Sequence, residues 1–210
     1  MNDSLQKLLQ SSKLWKGRAK AGGAEQQGLA SGYPKLDHVL PGGSWPRNAV
    51  TEILLSDYGI GELQLLMPAL VRLTTGAEQS PAGWIAWIAP PFQPYPPALS
   101  QWGMDVSRVL VMRPEKNTEI LWAADQALSS GTFAAVLLWP VSLGGRDCRR
   151  LQLAAEKGHS WGIVFRQSRA AGKISAAALR IQLMPGSTGT DIGILKSRGG
   201  RPVVVRDYAS

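Results

Sequence analysis

Hydrophobic positions along the chain fall into two kinds of run, short continuous ones and longer ones with helical spacing. The continuous runs predict buried β-strands at 49–55, 84–89, 108–112, 134–139 and 161–165. The runs with helical spacing predict helices at 61–74, 95–102, 118–128 and 146–157. Apolar strands that alternate with helices are typical of a parallel sheet covered by helices on both faces.

The pattern changes after residue 165. Apolar stretches at 176–184, 191–196 and 203–206 are separated by Gly, Ser and Pro, which predicts an antiparallel meander. The fold class is therefore α/β, with a mixed, mostly parallel sheet of four or five parallel strands followed by antiparallel C-terminal edge strands. We expect truncation after about Met184 to leave the core folded and to weaken partner binding.

The N-terminal segment is predicted to be separate from this core. Residues 3–15 have the spacing of a short amphipathic helix, and Gly17–Gly28 has the composition of a linker. The domain division is thus 1–28 for helix and linker and 29–210 for the core with a basic C-terminal tail. The apolar positions of the helix are candidates for docking, either on another molecule or on the chain's own core: Leu5, Leu8, Leu9 and Trp15.

Charge is concentrated at the two ends of the 210-residue chain, whose formal net charge is +8. Residues 166–210 carry eight Lys or Arg and only two Asp or Glu. Basic segments around a slightly acidic centre favour an anionic partner. We expect the cations of the tail to meet an acidic protein face, with a DNA backbone or plain solvent as alternatives: Lys196, Arg198, Arg201 and Arg206.

Seven of the eight tryptophans divide by position. Most of those on apolar strands are predicted to be core residues: Trp84, Trp87, Trp139 and Trp161. Those near breaks in the pattern are predicted to lie at interfaces, where tryptophan is favoured: Trp15, Trp45 and Trp102.

Several kinds of chemistry lack the residues they need. With one cysteine, Cys148, and two histidines, the chain forms no internal disulfide, structural zinc site or Ser-His-Asp triad. Cys148 is predicted to be a small core residue. No apolar run reaches the roughly 18 residues of a membrane helix, and the N-terminus lacks the apolar core of a signal peptide, so we expect a cytoplasmic location without membrane contact.

The loop between the first strand and the first core helix stands where a phosphate-binding loop lies in such sheets. Its residues do not suit a nucleotide: Ser56, Gly59, Gly61, Glu62 and Leu63. Glu62 stands at the position of the phosphate-binding lysine, and Leu63 stands at that of the magnesium-binding hydroxyl, so ATP would meet a negative charge and no ligand for its metal. We therefore expect no cofactor and no ATPase activity. Alternatively, the two glycines only form a tight turn.

The lead-in from Gly32 to Gly43, followed by Thr51-Glu52-Ile53, resembles the segment that opens the RecA-like ATPase core. Phe165-Arg166-Gln167 resembles the Asn-Gln ending of a RecA strand, where the Gln senses nucleotide. Further stretches resemble the bacterial SOS-response family of SulA and ImuA, RecA-like proteins without the ATPase motifs, and in particular its ImuA members: 51–53, 61–70, 89–91, 95–99, 121–124, 149–156 and 194–202.

This resemblance implies an accessory protein of SOS-induced, error-prone translesion DNA synthesis. It implies a RecA-like fold and, as partners, RecA, ImuB and an error-prone DNA polymerase, with weak single-stranded DNA backbone contact as a further expectation. In RecA relatives an N-terminal arm docks on the neighbouring core. The alternative within the family is a SulA-like cell-division inhibitor that binds FtsZ.

Overall fold

A computed structural model of the chain describes residues 28–76, 81–186 and 189–209. The N-terminal helix and linker, with Leu5, Leu8, Leu9 and Trp15, lie outside the described residues. The helices of the described part are α1 (Pro34–Asp37), α2 (Glu62–Thr75), α3 (Pro96–Gln101), α4 (Asn117–Ser129) and α5 (Gly145–Gly158). Its strands are β1 (Val50–Leu55), β2 (Trp84–Ile88), β3 (Val109–Met112), β4 (Phe133–Leu138), β5 (Trp161–Gln167), β6 (Leu179–Pro185), β7 (Thr190–Ser197) and β8 (Val203–Val205).

All eight strands join one sheet in the order β3-β2-β4-β5-β1-β6-β7-β8. Strands β1 to β6 run parallel to one another, while β7 pairs antiparallel with both β6 and β8. The mixed, mostly parallel sheet is thus confirmed. The expected number of parallel strands was too low, because β6 pairs with the central strand β1 as well as opening the meander.

Helices cover both faces of the sheet, as the alternation of strands and helices predicts. On one face α2 and α3 pack on the sheet, together with Leu36 and Leu40 of the lead-in (residues 32–43) and with Trp45, which follows it. On the other face α4 and α5 pack through apolar positions at helical spacing: Ile120, Leu121, Ala124, Leu128, Cys148, Leu151 and Ala155. Central strand β1 is buried along its whole length between these layers.

The lead-in fits against α2 through a glycine and a proline. Gly32 has a φ of 88°, and a Cβ added there would lie 2.5 Å from the Cβ of Pro68. Any larger residue would therefore collide with the proline inside α2. Since Pro68 cannot donate a backbone hydrogen bond within its helix, its position costs helix stability, and the contact with Gly32 fixes the lead-in on that side of the sheet.

The segment expected to be a basic tail is part of the sheet. Strand β7 pairs with β6 from Thr190 to Ser197, and Ile192, Ile194 and Tyr208 are buried in the core. The structure therefore leads us to expect that truncation after Met184 disrupts the core instead of leaving it folded, because it removes two strands and their buried side chains. No helix among the described residues is long and apolar enough to cross a membrane.

Candidate functional site

The loop between β1 and α2 is occupied by a carboxylate of the chain itself. The backbone N–H of Gly59 donates to both carboxylate oxygens of Glu62, over 2.9 and 3.0 Å. Gly59 and Gly61 have φ values of 86° and 105°, in the left-handed region that favours glycine. Glu62 is the first residue of α2 and is buried, so its charge also lies at the positive end of that helix. The loop therefore satisfies internally an amide of the kind that phosphate-binding loops offer to phosphate.

The β1–α2 loop lies at the carboxyl edge of the parallel strands, and the loops that follow β2 and β4 lie at the same edge. Strand β4 is followed by Trp139 and Pro140, and β2 is followed after one residue by Pro90 and Pro91. The ring of Trp139 stacks on Phe165 with the ring centroids 4.5 Å apart. The loops at 89–95 and 139–144 carry prolines and aromatic rings and no carboxylate.

A buried polar cluster crosses the middle of the sheet. Glu52 on β1 is fully buried, and its Oε1 accepts from Arg166 Nη1 over 2.9 Å and from Ser175 Oγ over 2.8 Å. Its Oε2 accepts from Arg180 Nε over 2.8 Å. The thiol of Cys148 lies 3.5 Å from Oε1. We call Glu52, Arg166, Arg180, Ser175 and Cys148 the Glu52 cluster.

The cluster holds the segment after β5 in place. Arg180 donates to the carbonyl oxygens of Ala170, Ala171 and Lys173 over 2.8 to 3.1 Å. Arg166 also donates to the carbonyl oxygen of Leu143, over 3.0 Å, in the segment after β4. Because these two guanidinium groups bridge strands and loops, the carboxyl edge of the sheet is positioned by charge as well as by packing.

Electrostatics of the cluster favour the ionised carboxylate. Burial alone would raise the pKa of Glu52, but the hydroxyl of Ser175 and the guanidinium groups of Arg166 and Arg180 together outweigh it and lower that pKa. Burial also raises the pKa of the Cys148 thiol, which keeps it neutral and unreactive. Cys148 is 1% exposed, so its prediction as a small core residue is confirmed.

A cavity of about 850 Å³ opens at this edge, beside the Glu52 cluster. Its walls come from Tyr58 after β1, from residues 140–144 after β4, and from the end of β5 with the segment that follows. Three cationic side chains line it, Arg166, Arg169 and Lys173. We call it the cationic cavity.

A smaller groove of about 270 Å³ lies on the other side of the β1–α2 loop. Its floor is formed by Met67, Leu99 and Trp139, and exposed aromatic side chains surround it: Phe92 (67% exposed), Tyr95 (68%) and Trp102 (49%). We call it the aromatic groove. Exposed rings around an apolar floor are typical of protein contact surfaces.

The cations predicted to bind partners lie in different environments. Lys196 on β7 donates through Nζ to the carbonyl oxygens of Ser175 and Ala177, each over 2.8 Å. Arg198 forms an exposed ion pair with Glu156 over 2.9 Å. Arg201 and Arg206 are exposed. The structure therefore does not gather these four side chains into one site.

One tryptophan prediction is wrong, because Trp45 is fully buried against Trp161, with ring centroids 5.4 Å apart. Most of the strand tryptophans are in the core as predicted, since Trp87, Trp139 and Trp161 are buried and Trp84 is 42% exposed at the start of β2. Trp102 is exposed.

Reasoning from sequence missed the Glu52 cluster. A signal was present, since Glu52 and Arg180 are the charged residues of two mainly apolar strands, and a charge inside a buried strand needs a partner. Among the residues that the structure describes, no three His, Cys, Asp or Glu side chains form a group that could hold a metal ion.

Known proteins resemble this chain in two groups. The family model "Cell division inhibitor SulA" matches residues 48–162. Cell division inhibitor SulA of Edwardsiella piscicida is 35% identical over 128 residues, which cover 59% of this chain and 73% of that protein. Protein ImuA of Caulobacter vibrioides is 28% identical over 197 residues, which cover 83% of this chain and 80% of that protein.

A solved structure is also similar, that of SulA from Pseudomonas aeruginosa. It is 26% identical, has a TM-score of 0.46, and covers 56% of this chain and 97% of that chain. The family match spans more than half of the present sequence, and the resemblance to SulA and ImuA expected from its motifs is confirmed. This chain belongs to the SulA family, and it is also similar to ImuA.

Proposed function

We propose that this chain is a non-catalytic accessory protein of SOS-induced mutagenesis, of the ImuA type, which works by contacting other proteins. The observation that carries the proposal is the bond between the Gly59 amide and the Glu62 carboxylate. The Glu62 carboxylate in the loop repels a triphosphate, and the loop offers no ligand for magnesium. The scaffold therefore acts by binding other molecules and not by hydrolysing ATP.

The extent of similarity supports ImuA over SulA. Similarity to ImuA covers 83% of this chain, whereas similarity to the SulA of Edwardsiella piscicida covers 59%. The SulA family model ends at residue 162, before β6, β7 and β8. The chain therefore has a substantial C-terminal part outside that match, which the ImuA assignment accommodates better.

We propose further that the scaffold is RecA-like and that RecA and the complex of ImuB with an error-prone polymerase are its partners. Support comes from the parallel sheet, from a strand–loop–helix unit in the position of a phosphate loop, and from the lead-in packed on α2. RecA-like subunits that assemble head to tail offer two complementary faces, and a subunit without ATP can still present one of them.

The aromatic groove is the contact surface that we favour for these partners. Three exposed rings within one groove give a large apolar contact area at low conformational cost. The exposed cations at the C-terminal edge, Arg201 and Arg206, are a second candidate for meeting an acidic protein face.

A binding experiment with purified proteins tests this proposal. The immobilised chain is offered RecA, with and without single-stranded DNA and a nonhydrolysable nucleotide, and separately ImuB. Retention of either protein at micromolar concentration is the expected result. Retention of neither RecA nor ImuB would overturn the proposed function.

The SulA similarity favours a second candidate, a cell-division inhibitor that binds FtsZ. Overproduction in cells without DNA damage separates the two. Filamentous cells and loss of FtsZ polymers in a sedimentation assay would support this second candidate. Normal division, together with loss of damage-induced mutations when the gene is deleted, would support the ImuA-type function.

A further inference from the structure

The cationic cavity carries more positive charge than its surroundings neutralise. Its lining includes Arg166, Arg169 and Lys173 and no acidic residue among those described. The side chains of Arg169 and Lys173 form no hydrogen bond or ion pair with any described residue. Both residues are exposed, so these charges are available at the mouth of the cavity.

The Glu52 cluster, which shares Arg166 with the cavity, adds to this imbalance. In the Glu52 cluster one carboxylate faces two guanidinium groups, those of Arg166 and Arg180. The ammonium of Lys196 lies close by on the carbonyl oxygens of Ser175 and Ala177. The cluster therefore keeps an excess positive charge, and in a partly buried position such a charge is weakly screened by salt.

The carboxylate of Asp147, which lies beside the cavity residue Gly144, is shared with a cation outside the cavity. Asp147, in the first turn of α5, faces Arg150 with 3.8 Å between the carboxylate and the guanidinium. Gly144, at the start of α5, is a cavity residue and provides no side-chain cap for the helix. The positive end of a 14-residue helix thus also faces this region.

The size and shape of the cavity limit the kinds of ligand that it can bind. A volume of about 850 Å³ lies in the range of sites for nucleotide-sized molecules. The ring of Tyr58 and the exposed side chain of Val141 supply apolar walls. Guanidinium forks and an ammonium around such walls suit a phosphate that is attached to an organic body.

We infer that the cationic cavity binds a phosphate-bearing ligand, either a short stretch of single-stranded nucleic acid or a smaller phosphate compound. Arg166 forms the fixed inner contact, because Glu52 and the carbonyl oxygen of Leu143 orient its guanidinium group. Arg169 and Lys173 close on the ligand from the exposed side. The segment that carries them is held by Arg180, which links ligand binding to the sheet interior.

Fluorescence anisotropy with the full chain tests the inference. A labelled oligothymidylate at low salt and in a chelating buffer is the first probe, and unlabelled inorganic pyrophosphate is the competitor. We expect saturable binding that weakens as salt rises. Competition by pyrophosphate indicates that the phosphate groups suffice, whereas binding of the oligonucleotide without competition indicates that nucleic acid is required.

Paired variants locate the site. Arg169→Ala with Lys173→Ala should weaken binding by about tenfold or more. The control, Arg72→Ala with Lys157→Ala, removes the same charge from the last turns of α2 and α5, outside the cavity, and should leave affinity within about twofold. Both pairs change exposed side chains, and circular dichroism verifies folding.

Three results would overturn the inference. One is the absence of binding by either probe, and another is an equal loss in both pairs of variants, which would mean that net charge alone attracts the ligand. The third is binding of polyglutamate but not of phosphate, which would make the cavity a contact for an acidic protein.

Discussion

Glu52 and Arg180 are register partners on two neighbouring parallel strands, and the Nε of Arg180 donates to the Oε2 of Glu52 over 2.8 Å in the interior. The two residues are 128 positions apart in the sequence. Their pair, with Arg166 on the other side, ties β5, β1 and β6 together through side chains as well as backbone ladders. A buried charge that serves two partners leaves both uncompensated when it is removed.

Replacing the buried carboxylate should therefore be strongly destabilising. We expect Glu52→Gln to lower the free energy of unfolding by about 3 to 5 kcal/mol, because Arg166 and Arg180 then remain charged in the interior. Urea unfolding followed by tryptophan fluorescence measures the change. The control Glu156→Gln breaks an exposed pair with Arg198 and should cost at most about 1 kcal/mol. Equal losses in both variants would contradict this view of the cluster.

The same carboxylate should make stability depend on pH. Its pKa is lower in the folded chain than the ordinary value of 4.5, so the folded state binds fewer protons than the unfolded state in that range. Its contribution is therefore present above pH 4.5 and is lost as the pH falls through the lowered value. We expect the difference in unfolding free energy between the unmodified chain and Glu52→Gln to shrink on acidification. A difference that stays constant from pH 7 to pH 3 would rule this out.

Tyr208 should show the opposite dependence, at alkaline pH. Burial, with the nearby Tyr33, raises the pKa of Tyr208 to about 12. Since the ordinary value is 10.0, its contribution to stability is present below pH 10 and is lost as the pH rises towards 12. Ultraviolet titration of tyrosinate should show a step near pH 12 that is missing in Tyr208→Phe. In urea that step should move back towards pH 10, and a step near pH 12 that survives the substitution would refute the assignment.

Removing β7 and β8 should unfold the sheet. A chain that ends at Met184 loses the whole antiparallel partner of β6 and the buried side chains of Ile192, Ile194 and Tyr208. It also exposes the edge of β6, and unpaired edges promote aggregation. We expect insoluble expression or non-cooperative thermal unfolding. A soluble truncated chain with a cooperative transition near that of the full chain would show that the meander is dispensable.

The aromatic groove should serve binding more than stability. Phe92→Ala with Tyr95→Ala removes two mostly exposed rings, so we expect a change in unfolding free energy of less than about 1 kcal/mol and at least tenfold weaker retention of RecA or ImuB. Trp122→Ala is the matched control, because Trp122 is 65% exposed on α4, on the opposite face of the sheet. If that variant alone loses binding, the contact surface lies on α4 instead.

Local pattern was enough to predict the order of the elements. The run at 134–139 and the spacing at 146–157 differ from the observed β4 and α5 by one residue at each end. A helix or strand that packs on the core carries apolar residues at regular intervals along one face, and a fully buried strand is apolar throughout. Both patterns can be recognised in the local sequence. Trp45 was misplaced because its burial depends on Trp161, a neighbour that is distant along the chain.

The Glu62 interaction was only half predictable. Its charge and position in the loop indicated that phosphate would be repelled. The folded loop turns that carboxylate onto the amide of Gly59, a contact that requires the left-handed backbone at Gly59 and Gly61. Residue type alone carries the charge, and backbone geometry decides what the charge touches.

By itself the sequence determined the α/β class and the helices on both faces of the sheet, because these follow from residue type and local period. Only the tertiary structure decided which charges meet. Glu52 finds Arg166 and Arg180 because the strand order places β1 between β5 and β6. The cationic cavity exists for the same reason, since parallel strands bring the loops at their carboxyl ends to one edge.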